Sequence, residues 1–214
     1  MIEIIGKEVF VSSDFHFSHK NICRGVSNWR DENGLVPENR TRPFKDLDEM
    51  NNTIINNINS CVGSDDALIF LGDWSFNGFD KIKKFRERIN CKEIYFILGN
   101  HDHHIEKNKD NVRSLFNLIS FEEELVVDGI KSVLKHYPIS SWKDLKSGVI
   151  MLHGHLHLAP LDKFTGDGKT MDCGIDGHPE FRPYNLRTEI YPIMAERPIA
   201  SSIEKDRHGK IKKY

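Results

Sequence analysis

The stretch IYFILGNHDHH, residues 94–104, joins an apolar run directly to a cluster of polar side chains. Residues 94–98 are too short a run for most helices and are typical of a strand that is buried on both faces. The run ends in the sequence GNHD at 99–102. Because a buried strand holds the side chains at its end more rigidly than a loop does, this stretch predicts a point where an amide, imidazoles and a carboxylate meet.

Four further predicted strands end in polar side chains of the same kind. They cover 9–11, 67–71, 132–135 and 149–152, where apolar and β-branched residues are concentrated. The polar residues that follow them are Asp14 and His16, Asp73, His136, and His155 with His157. In α/β sheets ligands bind at the carboxyl ends of the strands, so we expect these clusters to converge on one crevice.

Each cluster taken alone has a simpler interpretation. An Asp after a strand is commonly a turn residue, and a single His is commonly a hydrogen-bonded polar group. However, Asp14 with His16 and His155 with His157 are spaced two apart, and in an extended segment this spacing directs both side chains to the same side. Taken together, the five clusters favour one functional site over five unrelated turns.

Helical periodicity separates the predicted strands. Asp46 with Glu49 three positions later is typical of a helix N-terminus, and apolar residues recur at helical spacing through 47–58 and again through 79–89. Residues 21–45 are polar and predict a long surface loop, which in a compact domain is usually functional or disordered. This alternation predicts an α/β protein with a single domain over 1–214, of which about 199–214 form a polar, frayed tail.

Composition narrows the function classes. The 214 residues are 38% hydrophobic and carry a formal net charge of -2, so the chain can form a substantial core but has no overall basic field for nucleic acid. The sequence lacks a signal-peptide pattern and an apolar stretch of membrane-spanning length, which predicts a cytoplasmic protein with no membrane partner. Four scattered cysteines argue against a disulfide framework, and the histidines do not match a zinc finger.

The order Asp-x-His, Gly-Asp, Gly-Asn-His-Asp, isolated His and Gly-His-x-His resembles the motif order of the calcineurin-like metallophosphoesterases, and here it spans 14–157. Four segments further resemble the small stand-alone bacterial and phage members of that superfamily: NRTRPF at 39–44, LDEMNNTIINNIN at 47–59, LGDWSF at 71–76 and MDCGIDGHPEFRPYNL at 171–186. The resemblance implies a four-layer α/β/β/α sandwich of two mixed β-sheets flanked by helices. It also implies a hydrolase that acts on phosphate esters.

A set of metal ligands is implied by the same resemblance. Asp14, His16 and His157 would hold one ion, Asn100, His136 and His155 the other, and Asp73 would bridge both. Two divalent ions about 3.5–4 Å apart can clamp phosphoryl oxygens and lower the pKa of a bound water towards about 7. Imidazole and carboxylate ligands without thiolate suit manganese, iron, cobalt, nickel or zinc, and the family likeness favours manganese or iron.

The expected reaction is in-line attack of a metal-bound hydroxide on phosphorus. The leaving oxygen needs a proton, and His101 is the expected general acid because it adjoins the ligand Asn100 without being a ligand in the family pattern. We expect Asp102 to orient the His101 ring and to favour its charged form.

The expected substrate is a small phosphorylated molecule of nucleotide type, bound by Asn100, His101, His19 and Arg42. Arginine forks match phosphate well, and the small chain suggests an open site without a large lid. One alternative is a nuclease on single-stranded nucleic acid, which would need a local basic track. Another is a non-catalytic interaction module on the same fold, against which the complete set of ligands and His101 argue. The oligomeric state is not specified by the sequence.

Overall fold

The computed structural model describes residues 1–159, 163, 164 and 166–200. The part of the predicted frayed tail from 201 onwards lies outside these residues. In chain order the strands are β1 (Ile2–Ile4), β2 (Val9–Ser12), β3 (Ala67–Phe70), β4 (Glu93–Ile97), β5 (Leu118–Ser120), β6 (Glu122–Val127), β7 (Ile130–Lys135), β8 (Ile150–His153), β9 (Thr170–Asp172) and β10 (Tyr184–Asn185). They form two sheets of five strands each.

Both sheets are mixed. The first has the order β10-β2-β3-β4-β5, in which β2 to β5 run parallel and β10 is antiparallel to β2. The second has the order β1-β6-β7-β8-β9, in which β6 and β7 form an antiparallel hairpin and the other neighbours are parallel. The four parallel strands of the first sheet therefore deliver their carboxyl ends to one edge, as the sequence predicted for 9–11, 67–71 and 94–98.

The helices are α1 (Leu47–Cys61), α2 (Phe79–Arg86), α3 (His103–Lys107), α4 (Lys109–Val112) and α5 (Tyr191–Glu196), and a π-helical segment, Leu186–Ile190, leads into α5. Short 3-10 turns cover Lys20–Ile22, Arg24–Val26, Glu38–Arg40, Leu145–Ser147 and Ile175–Gly177. None of the helices in the described part of the chain is both long and apolar enough to cross a membrane.

Strand β3 shows why the first sheet is apolar on both faces. Leu68 and Phe70 belong to the apolar cluster that also contains the buried faces of α1 and α2. Ala67 and Ile69, which point the opposite way, belong to the cluster that joins the two sheets. Helices thus cover the outer face of this sheet and the second sheet covers its inner face. Two mixed sheets flanked by helices confirm the predicted fold class.

Helix α1 begins where the sequence predicted. The carboxylate of Asp46 accepts a hydrogen bond from the Glu49 backbone N–H at 2.8 Å, and the Glu49 side chain accepts one from the Lys45 N–H at 2.7 Å. Its buried face includes Met50, Ile54 and Ile58. The second predicted helix is shorter than its apolar stripe, since α2 ends at Arg86 and Ile89 is buried in the turn that follows.

The segment 21–45 is a loop, as predicted, and residues 28–35 and 38–40 are exposed, but its two ends are buried. Its two ends pair with each other, because the Arg42 backbone N–H donates to the Ile22 carbonyl at 2.6 Å. Ile22, Cys23, Thr41, Arg42 and Phe44 are all buried. Few apolar residues are needed to fix this loop, and periodicity cannot detect them because the segment has no regular structure.

Candidate metal centre

The predicted ligand clusters meet at the carboxyl ends of the strands. Asp14, Asp73 and Asn100 follow β2, β3 and β4 of the first sheet, while His136 follows β7 and the pair His155 and His157 follows β8 of the second. The crevice therefore lies where the two sheets come together at this edge.

One group of ligand atoms comes from Asp14, His16 and His157. These atoms all lie within 4.8 Å of one another. The Nε2 atoms of His16 and His157 are each 3.6 Å from Asp14 Oδ1. This group coincides with the set that the resemblance implied for the first ion.

A second group comes from Asp14, Asp73 and His136. Asp73 Oδ2 lies 3.4 Å from His16 Nε2 and 3.6 Å from His136 Nε2, so this oxygen stands between the two groups. His136 Nδ1 is 2.8 Å from the Leu71 carbonyl, which can only accept, so the lone pair is on Nε2. That lone pair faces Asn100 Oδ1 at 2.8 Å and Asp73 Oδ2.

His155 stands beside the second group without joining the close cluster of the described residues. Its ring centroid is 5.1 Å from that of His136 and 4.5 Å from that of Tyr137. Its backbone N–H donates to Asp14 Oδ2 at 2.9 Å. Its predicted role as a ligand stays a prediction.

The ligand pairs are not in extended backbone, and this part of the sequence interpretation is wrong. Asp14 and His16 have φ of 58° and 50°, and His155 and His157 have φ of 77° and 51°, all in the left-handed region. Hydrogen bonds to the loop after β3 hold the backbone of the first pair. The N–H of Asp14 donates to the Gly72 carbonyl at 2.8 Å, and that of His16 donates to the Asp73 carbonyl at 3.0 Å. Such strain is sustained only where surrounding contacts fix the chain, and it is concentrated at functional sites.

Two glycines of the motifs are required by close approach. A Cβ at Gly99 would collide with the Asp73 carboxylate, and a Cβ at Gly154 would collide with the Ser13 hydroxyl and the Asp14 carboxylate. The Gly-Asn-His-Asp and Gly-His-x-His motifs therefore begin with glycine because carboxylate ligands pack directly against the backbone there.

The unpaired atoms of the crevice fit divalent cations. Buried Asp14 Oδ1 and both ring nitrogens of His16 have no hydrogen-bond partner among the described residues. Burial, together with the nearby carboxylates of Asp102 and Asp14, raises the pKa of Asp73 to about 8. Burial lowers the pKa of His16 to about 3, so this ring is neutral and can offer a lone pair. Carboxylates that repel one another beside neutral imidazoles are a donor set that a bound cation would satisfy.

His101 lies at the mouth of the crevice, as expected. Its backbone N–H donates to Asp73 Oδ1 at 2.9 Å, and its half-buried ring is 5.4 Å from the His16 ring, between centroids. Burial lowers the pKa of His101, and the neighbouring His136 lowers it further.

The role predicted for Asp102 is wrong. Its carboxylate is buried and accepts the backbone N–H groups of Asp73 at 2.7 Å, Gly99 at 2.8 Å and Trp74 at 2.9 Å. Both oxygens are therefore occupied by the two loops that follow β3 and β4, and no hydrogen bond joins them to the His101 ring within the described chain. Asp102 fixes the loops that carry Asp73 and Asn100.

Arg42 does not have the accessibility that substrate binding requires, so that prediction is also wrong. Its side chain is 1% exposed. The guanidinium donates to the carboxylate of Asp176 and to the carbonyls of Phe15 and Asp14. His19 does border the site: its ring stacks on Phe76 at 4.1 Å between centroids, and burial lowers its pKa to about 4.

Two acidic residues at this edge were missed from the sequence. Asp176 Oδ2 accepts the Nδ1–H of His157 at 2.8 Å, and although burial disfavours its charge, Arg42 and His157 hold the pKa of Asp176 well below its usual range. Asp172, the last residue of β9, is buried, and burial with the nearby Asp14 carboxylate raises its pKa to about 7. The segment MDCGID at 171–176 contained both, but a three-residue strand gives too little periodicity to be recognised.

Comparison with known proteins gives one family and several relatives. The family model described as calcineurin-like phosphoesterase matches residues 8–190. MJ1445, an uncharacterized protein of Methanocaldococcus jannaschii, is 34% identical over 160 residues, which are 74% of this chain and 74% of that protein.

Two solved structures are similar to this chain, and the first shares its fold. AQ665 of Aquifex aeolicus, a protein of unknown function, is 21% identical with a TM-score of 0.58, over 85% of this chain and 97% of its own. The E. coli phosphoesterase Yfce is 14% identical with a TM-score of 0.44, over 78% of each chain.

Proposed function

The chain belongs to the calcineurin-like phosphoesterase family, and from this premise we propose that it is a two-metal hydrolase of phosphodiester or phosphomonoester bonds. We propose a nucleotide-type small molecule as its substrate. The family supports phosphoesterase activity in general, and the residues of the crevice support the finer statement.

A single observation carries the proposal. Asp73 Oδ2 stands 3.4 Å from His16 Nε2 and 3.6 Å from His136 Nε2, so one carboxylate oxygen lies between a ligand of each proposed ion. A bridging carboxylate of this kind is what a dinuclear centre needs in order to hold two cations close together. An ordinary buried ion pair would not leave Asp14 Oδ1 and the His16 nitrogens without partners among the described residues.

Each residue of the crevice has a proposed place. Asp14, His16 and His157 would hold one ion, Asn100, His136 and His155 the second, and Asp73 both. Two such ions stabilise the charge of a phosphoryl group and activate a water molecule as nucleophile. The thiolate-free donor set suits manganese or iron, with zinc, nickel and cobalt as further choices.

His101 is the proposed proton donor to the leaving oxygen. Its ring is 5.4 Å from that of His16, between centroids, and is only partly buried, so a substrate can reach it. Burial favours the neutral ring in the unbound protein, and a bound phosphate would favour the charged ring because opposite charges attract. A general acid whose pKa lies near or below neutral gives up its proton readily to the leaving group.

Aromatic rings beside the proton donor support a nucleotide-type substrate. Phe76 lies 5.0 Å from His101 and 4.1 Å from His19, between ring centroids, and Trp29 lies 6.1 Å from His19 and is 37% exposed. Rings at the edge of an open crevice can stack on the base of a leaving group. His19 is therefore retained as a substrate-binding residue in the proposal.

Hydrolysis of two model esters tests the proposal. The metal-stripped protein should have no activity on bis(p-nitrophenyl) phosphate or p-nitrophenyl phosphate, and added manganese should restore it. The preferred ester then separates diesterase from monoesterase. Failure with every divalent metal would favour the non-catalytic interaction module instead.

A nuclease is the second candidate because a cationic group lies next to the crevice. Lys81 and Lys84 of α2 and Arg88 just beyond its end line a cavity together with Asp48, Ser18 and Asn77. Ser18 lies two residues after His16, and Asn77 follows Phe76. A single strand that left the crevice on this side would meet these cations. Cleavage of single-stranded oligonucleotides that weakens steeply with added salt, and weakens again in Lys84→Gln, would identify the nuclease.

A further inference from the structure

The ion pair between Arg42 and Asp176 connects the long early loop to the metal ligands. Arg42 Nε and Nη2 donate to the two carboxylate oxygens of Asp176 at 2.7 and 2.9 Å, which is a bidentate fork. The two residues are 134 positions apart, and the Arg42 side chain is 1% exposed. A buried fork of this kind fixes both partners in one geometry.

Asp176 in turn orients the ring of His157. Its Oδ2 accepts the Nδ1–H of His157 at 2.8 Å, so the tautomer is set and Nε2 keeps its lone pair. That Nε2 faces Asp14 Oδ1 at 3.6 Å, inside the first group of ligand atoms. A carboxylate behind a ligating imidazole fixes the direction of the ring and raises its basicity.

The same guanidinium holds the strained backbone of the other two ligands. Nη2 donates to the Asp14 carbonyl at 2.6 Å and Nη1 to the Phe15 carbonyl at 2.7 Å. These carbonyls lie within the turn in which Asp14 and His16 are left-handed, a conformation that non-glycine residues adopt only where other contacts hold it. Arg42 therefore contacts or steadies all three members of one group, and the hydrogen bonds above give it no contact with His136 or Asn100.

We propose that Arg42 and Asp176 are positioning residues for the ion held by Asp14, His16 and His157. Of the second group of ligand atoms Arg42 reaches only Asp14, so the ion held by Asn100, His136 and His155 depends on the pair less. This inference rests on the proposed two-metal site. Lysine cannot replace Arg42, because a single ammonium cannot form the fork and reach two carbonyls at once.

The chain contains a matched control for this pair. Arg187 donates from Nε and Nη2 to Asp128 at 2.6 and 3.1 Å, and from Nη1 to the Lys7 carbonyl at 2.6 Å. This fork has the same geometry but lies at the opposite end of the strands. Arg187→Lys and Asp128→Asn therefore make the same chemical changes away from the crevice.

The experiment compares metal binding in Arg42→Lys, Asp176→Asn, the two control variants and the wild type. Each protein is stripped with chelator and titrated with manganese, while calorimetry gives the affinities and elemental analysis the ions per chain. We expect two ions per chain in the wild type and the controls. In Arg42→Lys and Asp176→Asn one ion should bind about 10–100-fold more weakly, and the other should lose much less affinity. The electron paramagnetic resonance spectrum should change from that of a coupled pair to that of an isolated ion.

Two outcomes would contradict different claims. If Arg42→Lys and Asp176→Asn melt at lower temperature but still bind both ions with wild-type affinity, the pair is structural only and the inference is wrong. If the wild type binds no manganese or other divalent metal, the proposed function fails and the inference with it. Asp176→Asn is isosteric, so it carries the test should Arg42→Lys fail to fold.

Discussion

Charged side chains at the two ends of the strands differ in burial and in pairing. At the amino end, Lys7 pairs with Glu93 at 2.7 Å and Arg187 with Asp128 at 2.6 Å, and all four side chains are partly exposed. At the carboxyl end, buried carboxylates lie close together and leave ligand atoms without partners among the described residues. Exposed pairs contribute little to stability, and buried unpaired charges cost free energy. The difference indicates that the polar atoms at the carboxyl end are suited to bind a ligand, which would supply the missing partners.

The largest effect is expected when the crevice at the carboxyl end loses Asp73, the carboxylate proposed to bridge the two ions. Asp73→Asn should lose at least one ion, because the ion held by Asn100 and His136 would lose its anionic ligand. Hydrolysis should fall to the level of chelator-treated wild type. Burial disfavours a charge at this position, so the metal-free variant should be at least as stable as the metal-free wild type. Wild-type turnover with saturating metal would contradict the bridging role.

Removing the proton donor should give the next largest effect. His101→Ala should retain both ions and lose about 10²–10⁴-fold in turnover, since a positioned general acid contributes that much. The loss should be greatest for substrates whose leaving group is poor, because those need the proton most. Steady-state rates for a series of leaving groups, with metal content measured alongside, provide the check. Equal losses across the series would contradict the role.

Replacement of Asp102 tests how much a fully hydrogen-bonded buried carboxylate stabilises the carboxyl end of the strands. Asp102→Ala leaves three buried backbone N–H groups without their acceptor, and each unpaired group costs about 1–3 kcal/mol. We expect a loss of about 3 kcal/mol or more in the free energy of unfolding, measured with urea on the metal-free protein. An unchanged urea midpoint together with reduced turnover would instead restore a role for Asp102 at the His101 ring.

The amino end of the strands should tolerate the loss of a carboxylate. Asp128 is 52% exposed, and Asp128→Asn removes only an exposed ion pair, so the free energy of unfolding should stay close to that of the wild type. Metal content and turnover should equal those of the wild type. A loss of metal in this variant would show that the two ends are coupled, and it would remove the basis of the comparison.

Local sequence was enough to predict much of the fold and the site. The alternation of apolar runs with helical stripes predicted β2, β3, β4 and helix α1, whose Asp46 cap forms as expected. Strands β1, β5, β9 and β10 went unrecognised, because two or three residues carry no measurable period. The polar residues that follow the longer strands included Asp14, His16, Asp73, His136 and His157, which meet in the crevice, but not Asp172 and Asp176.

The sequence by itself determined which residues reach the crevice, because strand register and chain order fix where each strand ends. Only the tertiary structure decided how those residues are held. The left-handed turn at Asp14 and His16 depends on hydrogen bonds from another segment, and the partners of Asp102 and Arg42 lie up to 134 positions away. Periodicity reports the burial of neighbours along the chain, whereas hydrogen-bond partners are chosen by proximity after folding.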